Sequence, residues 1–157
     1  MTARKRIRSA SRPGLALAWL TAVVGGCIVL PEPELEPAVI EFVNQTALDV
    51  RPNFYASDTA TDAAGLFAAA NFDTSFIDRP FPELRPNEST STTRACGVVS
   101  SLGVRRPVLF DAASLAVTTS EDQIFLRRDV DFTCGATIRF VFFTEGEAFR
   151  VRVEYPQ

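Results

Sequence analysis

The sequence predicts a mainly β protein: an antiparallel β-sandwich, immunoglobulin-like or a similar Greek key, of about seven strands with one short helix and one disulfide. Three observations predict it. Short β-prone runs recur between polar turns at intervals of about 8–12 residues. A single stretch, "DTATDAAGLFAAANF", departs to a helical pattern. The chain then ends in "TIRFVFFTEGEAFRVRVEY", where apolar and polar residues alternate on both sides of a glycine turn.

Taken along the chain, "AVIEFVNQTALDVR" reads as two short strands, 39–43 and 47–51, joined by a turn at Asn44-Gln45-Thr46. The helix is expected over 62–70. Asp58 or Thr61 is placed to cap it, Asp62 falls in the first turn, and Asn71 closes it, with Leu66 and Phe67 as its core contacts. Pro80, Pro82 and Pro86 then exclude a long helix, and Arg85 to Ser89 is a turn. A Thr- and Ser-rich strand follows into Cys96, and "RRPVLFDA", "LAVTTS" and "QIFLRRDVDF" supply three more β-prone runs. In the terminal hairpin, a Glu145-Gly146 turn pairs Phe142 with Phe149, Phe140 with Val151 and Ile138 with Val153. Those six share one face by the period of two, while Arg139, Val141, Arg150, Arg152 and Glu154 take the other.

Residues 1–14 carry Arg4, Lys5, Arg6, Arg8 and Arg12 and no acid, and an apolar run from Leu15 to Val24 follows. A transmembrane helix needs about 20 residues, so this run is too short to span a bilayer and reads as the core of a signal peptide. It ends on Val24-Gly25-Gly26-Cys27. This box resembles that of the bacterial lipoproteins, with an aliphatic residue, two small residues and the cysteine. Val24 and Gly25 stand where that family more often has Leu and Ala or Ser. The resemblance implies removal of residues 1–26 and acylation of Cys27, with palmitate-type chains. Two or three chains at about 0.8 kcal/mol per buried methylene would anchor the protein stably. Ile28 is not the Asp that serves as an inner-membrane retention signal in enteric bacteria. The expected location is therefore the cell envelope, at the outer membrane, on its periplasmic or surface face. A signal anchor and ordinary secretion with cleavage near Gly26 are the competing readings.

The organisation that follows is a signal peptide at 1–26, a Pro/Glu tether at 27–37 and a sandwich domain at 38–157. Prolines alternating with Glu32, Glu34 and Glu36 keep such a tether extended at about 3.1 Å per residue. With Cys27 lipidated, Cys96 and Cys134 remain as an even pair outside the cytoplasm, where disulfides persist. Closing that loop would stabilise the domain by roughly 3–4 kcal/mol in the chain-entropy model.

Removing 1–26 takes five of the 16 basic residues and none of the 19 acidic ones, leaving 11 against 19, a net charge of −8. Such a body disfavours nucleic acid and anionic lipid as partners, so membrane attachment falls to the N-terminal lipid. The remaining 131 residues contain no His, Lys, Met or Trp. That excludes imidazole bases, Ser-His-Asp triads, His-ligated metals and Lys Schiff bases. Carboxylates, Arg, Tyr and hydroxyls are what is left.

Arg139 opposite Arg152, with Arg150 nearby, would put three guanidiniums on one sheet face. They read first as a solvated, ion-paired face with Glu154 as a local partner, and second as an anion-binding patch. Glu121, Asp122, Asp129 and Asp131 lack the spacing of a calcium loop and read as ion-paired surface acids rather than a metal site. Asn44 and Asn87 match the glycosylation pattern but read as turn residues. Phe54-Tyr55 and Phe81 read first as core residues, in a chain with 13 Phe, and second as a sugar-stacking platform. The sequence therefore points to a non-enzymatic binding or structural domain, with no catalytic residue, metal or cofactor and with an envelope protein or polysaccharide as its possible partner. The alternative class is a carboxylate-based hydrolase of envelope polysaccharide, which would require two neighbouring carboxylates in a deep cleft.

Overall fold

The computed structural model describes residues 35–156, and the signal peptide, Cys27 and most of the tether lie outside the described residues. The protein is mainly β, with ten strands in two layers. One layer is a four-stranded sheet built from β1 (Ala38–Asn44), β4 (Ser89–Arg94), β9 (Thr137–Glu145) and β10 (Ala148–Glu154), in the order β10-β9-β1-β4. Pairing is antiparallel except between β1 and β9, which run parallel with Phe42 beside Phe140.

The second layer contains two three-stranded sheets. β2 (Asp49–Arg51), β6 (Val108–Asp111) and β7 (Ala116–Thr119) make one in the order β2-β6-β7. β3 (Phe54–Ser57), β5 (Ser101–Arg105) and β8 (Gln123–Arg127) make the other in the order β3-β5-β8. Consecutive strands occupy corresponding places, so the two are halves of three long strands, each broken once. The breaks fall at Pro52-Asn53, Arg106-Pro107 and Ser120 to Asp122. Proline has no N–H to give a ladder, and Asn53 and Arg106 take φ of 49° at the bend. Backbone bonds bridge it nonetheless: Arg106 N–H donates to Asp122 C=O at 2.9 Å, and Ser120 N–H to Pro107 C=O at 2.9 Å. Counted as long strands, four and three give the seven expected.

Period-two alternation sends Ala38, Ile40 and Phe42 of β1 and Ile138, Phe140 and Phe142 of β9 into one core with Val50, Phe54, Leu102, Val104, Leu109 and Leu126 of the other layer. Phe42 sits at its centre, with ring centroids 4.5 Å from Phe76, 5.0 Å from Phe54 and 5.8 Å from Phe140. Cys96 and Cys134 are joined by a disulfide. The last tether residues are already docked, since Gly135 N–H donates to Glu36 C=O at 3.1 Å.

The helix is shorter than expected. α1 covers only Ala63–Leu66, and a 3-10 turn at Ala69–Asn71 follows. Asp62 caps it by accepting from Gly65 N–H at 2.7 Å, and the Asn71 amide donates back to Gly65 C=O at 2.9 Å. So short a helix has little stability of its own, and packing decides where it ends. Phe67 and Phe72 leave it to meet Tyr55 edge-on at 5.2 and 5.3 Å. Leu66 is fully buried, on the outer face of the β3-β5-β8 sheet rather than in the sandwich core. Gly103 makes room there: a Cβ on it would lie 3.2 Å from Leu66 and 2.1 Å from the Ile124 carbonyl oxygen.

The terminal hairpin keeps its predicted faces but not its predicted register. Val151 lies opposite Phe142, Val153 opposite Phe140 and Phe149 opposite Thr144, a shift of two residues. The turn is Gly146-Glu147, with positive φ at Gly146 alone of the pair. That is the two-residue loop with glycine in its first central position. Val141, placed on the outward face, is nevertheless fully buried there.

Candidate functional site

The outer face of the four-stranded sheet is built by the residues that alternate away from the core. β1 presents Glu41 and Val43, β4 Ser89 and Ser91, β9 Arg139, and β10 Arg152 and Glu154. All of these but Arg152, together with Gln45 and Thr90, line an open hollow of about 410 Å³. Its charges form a chain across three strands. Arg139 Nε donates to Glu41 Oε2 at 2.7 Å and its Nη1 lies 3.7 Å from Glu154 Oε2. Glu154 Oε1 accepts from Arg152 Nε at 2.9 Å. Arg152 also lies 4.6 Å over the Phe143 ring.

The two-residue register shift changes the meaning of the arginines. Arg139 faces Glu154, not Arg152, so no like charges stand directly opposite. Arg150 leaves the group to pair with Asp122 at 3.1 Å. Each of the three guanidiniums thus has a carboxylate partner, and what faces solvent is a balanced ion-pair chain rather than a patch of free positive charge.

The four acids between Glu121 and Asp131 are also separately engaged. Glu121 pairs with Arg106 and Asp129 with Arg128, at 3.2 and 3.3 Å. Asp131 accepts from Arg127 N–H at 2.8 Å. Asp122 does more than pair: its Oδ2 accepts from Val151 N–H at 2.9 Å, tying the bend of the three-stranded layer to edge strand β10. Among the described residues no three His, Cys, Asp or Glu side chains are grouped to hold a metal ion, and no helix is long and apolar enough to cross a membrane.

The proposed aromatic platform is split. Phe54 is fully buried in the core, Tyr55 packs between Phe67 and Phe72, and only Phe81 is exposed. Asn87 sits at φ 58°, as a turn asparagine does. Asn44 is a turn residue of another kind, 1% exposed. Its amide donates to Leu48, Leu84 and Arg85 carbonyls at 2.8, 3.1 and 2.8 Å. Its Oδ1 accepts from Thr46 N–H and Oγ1, both at 2.8 Å. Through Asn44 the loop after residue 78 is fastened to β1.

That loop brings together charges that are far apart in the sequence. Arg79 grips Glu88 with both terminal nitrogens and reaches Glu83 C=O at 3.1 Å. The bond from Arg79, above all, holds the Glu88 carboxyl below its ordinary range, against the opposing effect of burial. Arg51 takes Glu83 at 2.6 Å. Beside them Phe81 and Asp49 line a second hollow of about 500 Å³. The prolines, the Arg85 to Ser89 turn and Phe81 itself marked the segment in the sequence, but not the pairing of Arg79 with Glu88 or of Arg51 with Glu83. No protein-family model, curated protein or solved structure matches the chain.

Proposed function

We propose that the protein is a lipid-anchored component of the cell envelope, held at the outer membrane through Cys27, whose sandwich domain binds a partner without catalysing a reaction on it. The observation that carries this reading is the distribution of the three cysteines. Cys96 and Cys134 are joined, as suits an oxidising compartment, and Cys27 is left alone at the exit of a basic leader and a short apolar run. The composition of Pro31 to Pro37 suits an extended tether, which at about 3.1 Å per residue would hold the domain about 20 Å from the lipid.

A binding role is supported by the character of the outer-face hollow. Its two carboxylates, Glu41 and Glu154, both lie against Arg139. That is the reverse of the apolar setting that makes a carboxyl a general acid. The anchor is tested by Cys27→Ala in the native host. The variant should accumulate as uncut or misprocessed precursor and lose its partitioning into the detergent phase. A variant that partitions as the natural chain does would overturn the reading.

A further inference from the structure

Phe81 is an aromatic ring held in water on a loop that is fastened at several points. Pro80 and Pro82 flank it, and the ring residue is 67% exposed. Glu83 N–H donates back across Pro82 to Phe81 C=O at 2.8 Å. Leu84 exchanges two backbone bonds with Val50, at 2.9 and 2.8 Å, and the Asn44 amide holds the carbonyls of Leu84 and Arg85. The backbone that follows this exposed side chain is therefore held in place before any ligand arrives, which lowers the ordering cost of a contact made there.

The hollow beside it carries two acids and two arginines, so its lining is electrically balanced. Glu83 is occupied by Arg51 and Arg79 by Glu88. Asp49 and Arg85 have no ion-pair partner among the described residues. The site therefore offers one aromatic face, one carboxylate acceptor and one guanidinium donor, in a space of about 500 Å³. Ligand pockets typically have about 300–1,000 Å³, and a few polar groups in them fix orientation.

The geometry points to a binding site for a neutral saccharide. A sugar ring has an apolar C–H face to lay on Phe81 and a rim of hydroxyls that Asp49 accepts from and Arg85 donates to. A purely apolar segment would bury both charged groups without partners, and an anion would meet Asp49 and Glu83. This site shares no lining residue with the hollow at Arg139. It deepens the binding reading and rests on it, but does not depend on the anchor.

The test is calorimetric titration of the full-length chain in detergent with a β-1,4-linked N-acetylglucosamine tetramer, cellotetraose and maltotetraose. At least one should bind saturably. Phe81→Ala should weaken it by about tenfold or more, the scale of a lost stacking contact, while Phe81→Trp retains it. Val117→Ala, an exposed apolar residue elsewhere, should leave it unchanged. The site is overturned if none of the three sugars binds, or if Phe81→Ala binds as the natural chain does. Cys27→Ala should titrate normally, so failure of the anchor and failure of the sugar site are told apart.

Discussion

Phe42→Ala should destabilise the domain by about 3–5 kcal/mol, the range of a buried aromatic truncation. Phe42 is fully buried, and its ring meets Phe54, Phe76 and Phe140, so truncation removes contacts to both layers and to the loop between them. Little can collapse into the space, because each neighbour is fixed by its own strand or by the loop hydrogen bonds around it. Against a usual total of about 5–15 kcal/mol this is a large fraction. Chemical denaturation followed by circular dichroism measures it as a fall in midpoint at unchanged slope. In the same series Arg139→Ala should cost less than about 1 kcal/mol, since its ion pairs are about one-third exposed. Arg139 nevertheless sits between Glu41 and Glu154, so its removal should not stabilise. If Arg139→Ala proves more damaging than Phe42→Ala, the assignment of the sheet faces is wrong.

Asn44→Ala should cost about 2–3 kcal/mol, because a buried donor left without a partner costs about 1–3 kcal/mol and the lost tie to the loop adds to it. Thr46 N–H loses its acceptor outright, while the carbonyls of Leu48, Leu84 and Arg85 each lose one of two donors and keep Thr46 Oγ1, Val50 N–H and Glu88 N–H respectively. Asn44→Asp keeps the shape but turns a donor toward those carbonyls into an acceptor, so at neutral pH it should be at least as damaging. Asn87→Ala, at an exposed turn, is the comparison and should cost about 1 kcal/mol, the scale of strain at a positive φ. An Asn44→Asp protein as stable as the natural one would show that the amide does not hold the loop.

The hairpin shows both what period two reveals and what it hides. A shift of two residues leaves every side chain on its face, so the alternation of Ile138, Phe140 and Phe142 with Arg139 and Val141 fits either register equally well. Gly146 decides between them, because its positive φ serves as the first central residue of Gly146-Glu147. The charges carried the same message, since only this register sets Arg139 against Glu154. The short strands β3 and β5 were harder to read. Pro52 stands just before β3 and Gly103 lies within β5, and the burial of both strands comes from neighbours distant in sequence. Asn44 was legible as a turn residue, but not as the tie to Leu84 and Arg85, which are 40 and 41 residues away. Phe54 and Phe81 looked alike in the sequence, and only tertiary packing buries one and exposes the other.

The intact mass of the mature protein, with fragmentation of its N-terminus, tests the central claim most directly. The mature chain should begin at Cys27, lack residues 1–26, carry two or three acyl chains on that residue and retain the Cys96–Cys134 disulfide. A mature chain that contains an unmodified Cys27, or that begins at any other residue, would contradict that claim.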